Sequence, residues 1–407
     1  MSFVTVSLYH NLEEMTDHIP PGGEPEEPFR IVAIEAVLKG QNPLVYREKS
    51  YKDMEIPIKP GSLWWSCNSY KVNRLLPTSK ITEECGRQAV LHAEKNTPSP
   101  GEPPQYDEEC GDIYWSSGTW RATRVAAAAA IQATQDALRA EDDFRAFCIV
   151  RPPGHHCYQM PTGFCYLNNV VFAAREVLNA GKRVAIIDWD YHFGDGTASA
   201  LWNDRNAMFV SFHAAKTHYG RETYPARDVR NFKGKGLLEA THGRSWNVEW
   251  TEDTAGDAEY AYAFREVLIP ALHRFNPHVI LISAGYDAVK GDSLAGMNLT
   301  PAAFGYMSSA LTHLGCPVVC ILEGGYNPLL LADSVAETIR GLKDDPKYAN
   351  WITSKPVSYH KQVVDRLKED LNYGFRSDEW GLKKLRVEPK DPLNPIRPSE
   401  SPNLNAV

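Results

Sequence analysis

The feature that most constrains the fold is a four-residue apolar run, VAII at 184–187, that leads straight into Asp188, Asp190 and His192 and a Gly194-Asp195-Gly196 turn. A short β-branched run bounded in this way reads as a fully buried strand. In extended backbone, alternate side chains point the same way, so a spacing of two sends two carboxylates and an imidazole into one small volume. That volume lies at the carboxyl end of the strand, where open α/β sheets bind their ligands. Oxygen and imidazole donors without a thiolate suit a catalytic divalent ion such as zinc. A polar strand-to-helix turn with acids capping the next helix accounts for Asp195. It does not account for the three ionisable groups before it, which are costly to bury without a cation or partner.

The same rhythm runs through the second two thirds of the chain. Residues 146–150, 184–187, 208–212, 279–283 and 318–322 read as strands, with a further short strand at 4–9. Residues 29–38, 121–138, 167–178, 197–203, 258–275, 301–314 and 329–342 read as helices, and the five alanines at 126–130 predict close helix-to-sheet packing. Strand–helix alternation predicts one α/β fold: a single large domain with a mostly parallel central sheet and helices on both faces. The expected domain runs over 1–375, with 41–75 as an inserted or extended loop and 376–407 as a proline- and charge-rich tail.

Composition narrows the class. The 407 residues are 43% hydrophobic and 23% charged, ordinary values for a soluble globular protein. No apolar run approaches the roughly 20 residues that span a bilayer, and the N-terminus lacks a secretory layout. The expected location is therefore inside the cell, in nucleus or cytoplasm. The eight cysteines form no CxxC pair and read as small buried residues of a reducing compartment. A net charge of −8 with no dense basic block argues against nucleic-acid binding and favours a cationic substrate.

Three more strand ends carry chemistry. After 146–150 comes Arg151-Pro-Pro-Gly-His155-His156, with Gly163-Phe164-Cys165 beyond it. Adjacent histidines serve one site only on irregular backbone, which the Pro-Pro-Gly run provides. Such a pair supplies a general base and an acid or electrostatic partner. After 279–283 comes Ala284-Gly285-Tyr286-Asp287, where Asp287 is either a third metal ligand or an Asx-turn cap. After 318–322 comes Glu323-Gly324-Gly325-Tyr326-Asn327, where Tyr326 is either a donor to a developing oxyanion or a packed aromatic.

The segments RPPGHH, GFCYLNN, DWDYHFGDGT, SAGYDA and LEGGYN, in this order and at these intervals, resemble the zinc-dependent histone deacetylase family, which includes the acetylpolyamine amidohydrolases. The RPPGHH and DWD forms are similar to the class II branch. The resemblance implies an arginase/deacetylase-like fold and hydrolysis of acetyl-lysine amides in proteins such as histones. It implies zinc held by Asp190, His192 and Asp287. His155 and His156 become the catalytic pair, backed by Asp188 and Asp195, with Tyr326 as the oxyanion donor. Gly163, Phe164 and Tyr224 line an acyl-lysine tunnel, Asp112 grips substrate backbone at its rim, and Arg30 lies on an internal channel. A structural potassium ion falls to Asp188, Asp190, His192, Ser211 and the backbone of Phe212.

The chain also departs from the family. Phe193 replaces a second histidine, which changes the packing behind the metal. Pro225-Ala226-Arg227-Asp228 replaces the usual Pro-Gly-x-Gly. Both departures, with the 41–75 segment, bear on substrate choice at the rim more than on the chemistry. Alternatives are an acetylpolyamine amidohydrolase, a deacylase of another acyl-lysine, a non-catalytic acyl-lysine binder and a binuclear manganese hydrolase.

Overall fold

In a computed structural model, the described residues form ten strands: β1 Val6–His10, β2 Asn68–Lys71, β3 Gln105–Tyr106, β4 Tyr114–Trp115, β5 Arg145–Ile149, β6 Val184–Asp188, β7 Ala207–Ala214, β8 Trp246–Trp250, β9 Val279–Ala284 and β10 Val318–Leu322. The structure describes residues 4–47, 49–51, 54–140, 143–215, 241, 244–250, 254–348 and 358–374. Tyr224, the 225–228 segment and the expected tail 376–407 lie outside the described residues.

Eight strands form one sheet in the order β2-β1-β5-β10-β9-β6-β7-β8. Every neighbouring pair in it is parallel. β5, β6, β9 and β10 are buried along their whole length. Helices cover both faces, so these strands read as continuous apolar runs rather than alternating ones. On one side Thr119–Arg139 and Asn169–Asn179 pack against each other and the sheet; Phe29–Leu38, Pro301–Thr312 and Pro328–Leu342 form a second packed group. The five alanines at 126–130 are all buried, and Cys148 Sγ on β5 lies 3.9 Å from the carbonyl oxygen of Ala129. Side chains longer than a methyl would hold that helix off the sheet.

Strand order explains how the site assembles. β5, β10, β9 and β6 stand side by side at the centre, and each is followed by one of the four polar segments. Parallel strands share a carboxyl edge, so residues far apart in the chain arrive at one place.

Several elements depart from expectation. The 41–75 segment ends in β2, which pairs with β1 at the sheet edge and is fully exposed. Its polar residues give no hydrophobic signal. β8 adds a strand whose Trp246, Val248 and Trp250 are buried in alternation with more accessible Asn247 and Glu249. Helices Thr78–Cys85, Arg87–Asn96 and Ser358–Gly374 were also not expected. The helix expected at 258–275 forms, but with a π turn at Phe264–Leu268 before Ile269–Phe275. Pro270 at the start of that last segment has no N–H to give and crowds the carbonyl a turn earlier, a common cause of such an irregularity.

Candidate active site

The segment leaving β6 turns back beneath its own strand. The Asp190 N–H donates to Asp188 Oδ1 at 3.1 Å, and the His192 N–H donates to Asp190 Oδ1 at 2.9 Å. Asp287, leaving β9, accepts the Tyr191 N–H at 2.7 Å. His192 Nδ1 then lies 3.1 Å from Asp190 Oδ1 and 2.9 Å from Asp287 Oδ2. Donor atoms of Asp190, His192 and Asp287 all fall within 4.8 Å of one another. Two glycines make room for this. A Cβ on Gly285 would overlap the Asp190 carboxylate, and one on Gly324 would press on Asp190 and Asp287 together. The Gly324 N–H donates instead to Asp190 Oδ2 at 2.9 Å.

The electrostatics of this cluster call for a cation. Both carboxylates are completely buried. Burial and the neighbouring Asp190 charge push Asp287 up to about 7. Burial likewise opposes ionisation of Asp190, but His155 and His192 outweigh it and hold Asp190 below the usual carboxylate range. Burial disfavours a charge on His192, yet the two carboxylates drive it up to about 10. Among the described residues, the ion pairs to Asp190 and Asp287 come from histidines. Two carboxylate oxygens and an imidazole nitrogen fit a zinc-type ion with a coordination position left for water.

The tandem histidines flank this cluster. His155 Nδ1 is bonded to Asp188 Oδ2 at 3.0 Å and His156 Nδ1 to Asp195 Oδ1 at 2.8 Å, with 4.2 Å between the two ring centroids. The His156 ring lies 5.9 Å from that of His192. Their environments separate them. Burial and the charge of His155 lower the pKa of His156. For His155 burial also opposes protonation, but Asp190 and Asp188 overcome it and raise the value well above the usual histidine range. Asp195 thus does two things: it opens the helix Asp195–Leu201 and orients His156.

Tyr326 follows β10 and is buried, with its ring 5.8 Å from Phe164. Burial and the charge of Asp287 raise its pKa well above the ordinary phenol value, so the hydroxyl stays a donor. Gly163 and Phe164 both take positive φ, 57° and 61°. At Gly163 a Cβ would meet the His156 ring, and the Gly163 N–H donates to Asp112 Oδ2 at 3.1 Å. Asp112 and Gly163 are thereby tied together. Ser211 stands opposite Asp188 in the β6–β7 register, beside buried Phe212, and its hydroxyl is bonded to His213 Nδ1 at 2.8 Å. Phe193 fills the space behind the cluster, 4.8 Å from the His213 ring.

Arg30 belongs to a buried ionic knot under the site. Glu26 accepts from Arg151 Nη2 at 2.6 Å, Arg30 Nη1 at 2.8 Å and Tyr114 Oη at 2.7 Å. Arg30 also donates to the carbonyl oxygens of Gly325 and Glu323, each at 2.6 Å. Glu323 receives the N–H groups of Gly154 and His155 at 2.6 and 3.1 Å, and burial pushes its carboxyl up to about 8. Sequence reading missed Glu26, which sits in a Pro/Gly-rich loop, and Glu323. The signal available for Glu26 was the presence of two buried arginines needing an acid.

A parallel α/β sheet with these donor groups at its carboxyl edge and two imidazole–carboxylate pairs beside them defines the arginase/deacetylase architecture. Residues 72–342 match the family model described as histone deacetylase domain. Histone deacetylase 6 of Caenorhabditis elegans is 37% identical over 78% of this chain and 33% of its own length. Polyamine deacetylase HDAC10 of Danio rerio is 30% identical over 67% of this chain and 41% of its own. The crystal structure of the HDA15 HD domain superposes with a TM-score of 0.72 at 26% identity, covering 93% of this chain and 100% of that one. The chain belongs to the histone deacetylase family. It spans half or less of the length of the first curated relatives it matches.

Proposed function

We propose that the chain is a zinc-dependent amidohydrolase that removes acetyl groups from acetyl-lysine side chains of proteins. The observation that carries this reading is the convergence of Asp190, His192 and Asp287 beside the His155–Asp188 and His156–Asp195 pairs. Asp190, His192 and Asp287 would hold a zinc ion, which would supply Lewis acidity toward an acyl carbonyl and lower the pKa of a bound water toward neutrality.

His156 has the lowered pKa suited to a base that is neutral at physiological pH. It takes the proton of the attacking water and later delivers it to the leaving amine. Its bond to Asp195 through Nδ1 leaves Nε2 for that work. His155, kept protonated by Asp190 and Asp188, supplies positive charge where negative charge develops. Tyr326, kept neutral by burial, donates to the tetrahedral oxyanion. In this reading Gly163 and Phe164 line the tunnel for a slim acyl-lysine chain, and Asp112 holds substrate backbone at the rim. A structural potassium ion held by Asp188, Asp190, His192, Ser211 and the Phe212 backbone belongs to the same reading, with location in nucleus or cytoplasm. Acetylated histone tails or other acetylated proteins are the partners; direct nucleic-acid or membrane contact is not part of it.

A second reading, an acetylpolyamine substrate, is favoured by the name of the Danio rerio relative. Both substrates release a cationic amine, so the catalytic groups serve either. An activity panel of acetyl-lysine peptides, longer acyl-lysine peptides and acetylspermidine, run with and without a chelator, separates them. Chelator-sensitive turnover of the acetyl-lysine peptides is expected. Turnover of acetylspermidine alone would favour the second reading, and no turnover of any would overturn both.

A further inference from the structure

We propose that Asp292 is a positioning residue for the Tyr326 hydroxyl, acting through backbone rather than touching substrate. This rests on the reading of Tyr326 as oxyanion donor. The Asp292 carboxylate bridges two chain segments. Its Oδ1 accepts the N–H groups of Leu294 and Ala295 at 2.9 and 3.3 Å, which closes a local turn. Its Oδ2 accepts the N–H groups of Tyr326 and Asn327 at 2.6 and 3.1 Å, from a segment more than thirty positions later. A residue that only shaped its own turn needs the first oxygen alone.

The second contact fixes the peptide that bears the tyrosine. On the upstream side Arg30 Nε holds the Gly325 carbonyl at 2.6 Å, and Arg30 Cζ sits 5.1 Å from the centre of the Tyr326 ring. Downstream, Asn327 Nδ2 donates to the Gly291 carbonyl at 3.2 Å while its Oδ1 receives Leu329 and Leu330 N–H groups at the start of Pro328–Leu342. Gly325 itself, at φ 114°, gives no stiffness to the peptide before the tyrosine. Arg30 and Asp292 supply that stiffness from either side. A phenol on a short loop donates to an oxyanion only if its Cα is held, because a misplacement of about 1 Å costs about a hundredfold in rate. The carboxylate anchors the Tyr326 N–H to the segment that follows Asp287, and so sets the tyrosine relative to the metal donors.

The test is a double-mutant cycle with Asp292→Ala and Tyr326→Phe, reading kcat and KM on an acetyl-lysine peptide together with metal content. Asp292→Ala is expected to lower kcat about ten- to hundredfold with KM and metal content held. In the Tyr326→Phe background the same change is expected to cost less than about threefold, because the hydroxyl it positions is gone. An equal loss in both backgrounds, a loss that tracks metal content, or an unchanged kcat would overturn the proposal. Should Asp292→Ala fail to fold, Asp292→Asn carries the same cycle, since it leaves one oxygen for two pairs of N–H donors. Full activity in Tyr326→Phe alone would overturn the underlying reading of the tyrosine, an outcome distinct from failure of the Asp292 role.

Discussion

Two imidazoles whose pKa values are shifted in opposite directions sit 4.2 Å apart, ring to ring, and under the proposed mechanism that contrast divides the chemical labour. His156 is depressed by burial and by His155, so kcat/KM should rise along an acidic limb whose midpoint lies below the ordinary histidine value of 6.5. The sign follows from the role: protonation removes the base, and a lower pKa moves that loss to lower pH. Asp195 raises the His156 value, so Asp195→Asn should move the limb further down; a limb above 6.5 would contradict the assignment. Tyr326→Phe should lower turnover about a hundred- to thousandfold with metal content unchanged. At this scale most of the site was legible. Spacing two after a buried strand pointed to Asp188, Asp190 and His192, although only Asp188 lies on β6 and the bend that follows brings in the other two. Asp287 and Tyr326 were locally ambiguous, since an acid or an aromatic after a glycine turn has an ordinary structural use. Glu323 and Asp292 were not legible, as the backbone groups that tie them into the site are distant in the chain, and Glu26 left only the weak signal of nearby Arg30.

Among the elements, the buried central strands were read correctly because continuous apolar runs leave few alternatives. β2 was not, being a polar edge strand with no buried face. β8 alternates buried and more accessible residues over only five positions, too short a pattern to stand out from a loop in the sequence. The alanine-rich helix was read with its reason, and that reason is testable. Ala129 is fully buried and its carbonyl oxygen lies 3.9 Å from Cys148 Sγ on β5, so Ala129→Leu forces extra volume between helix and sheet. It should destabilise the fold by about 1–3 kcal/mol in chemical denaturation. A variant as stable as the parent would mean the helix is not in close contact there.

The whole molecule is tied together beneath the site by Glu26, which links the N-terminal segment through Arg151 to the tandem-histidine loop and through Arg30 to the Tyr326 loop. Burial opposes ionisation of Glu26, but Arg151, the His18 contact and Arg30 hold it well below its ordinary 4.5. A carboxyl depressed in the folded state adds stability above its unfolded value and loses it as pH falls. The Glu26 contribution should therefore be full at neutral pH and decline below about 4.5. Glu26→Gln breaks a buried ion pair and should cost about 3–5 kcal/mol at pH 7 by urea unfolding, with the difference from the parent narrowing in acid. A difference independent of pH would contradict the ionic account. The parallel architecture followed from strand–helix alternation alone. The strand order that brings β5, β10, β9 and β6 together did not, because local sequence does not encode which strands are neighbours. Metal stoichiometry reads out that convergence. Elemental analysis of the purified chain should give one zinc per molecule, and Asp287→Ala, altered nearly a hundred positions from Asp190 and His192, should lose it. Full zinc in that variant, or two manganese ions per chain in the parent, would contradict the account.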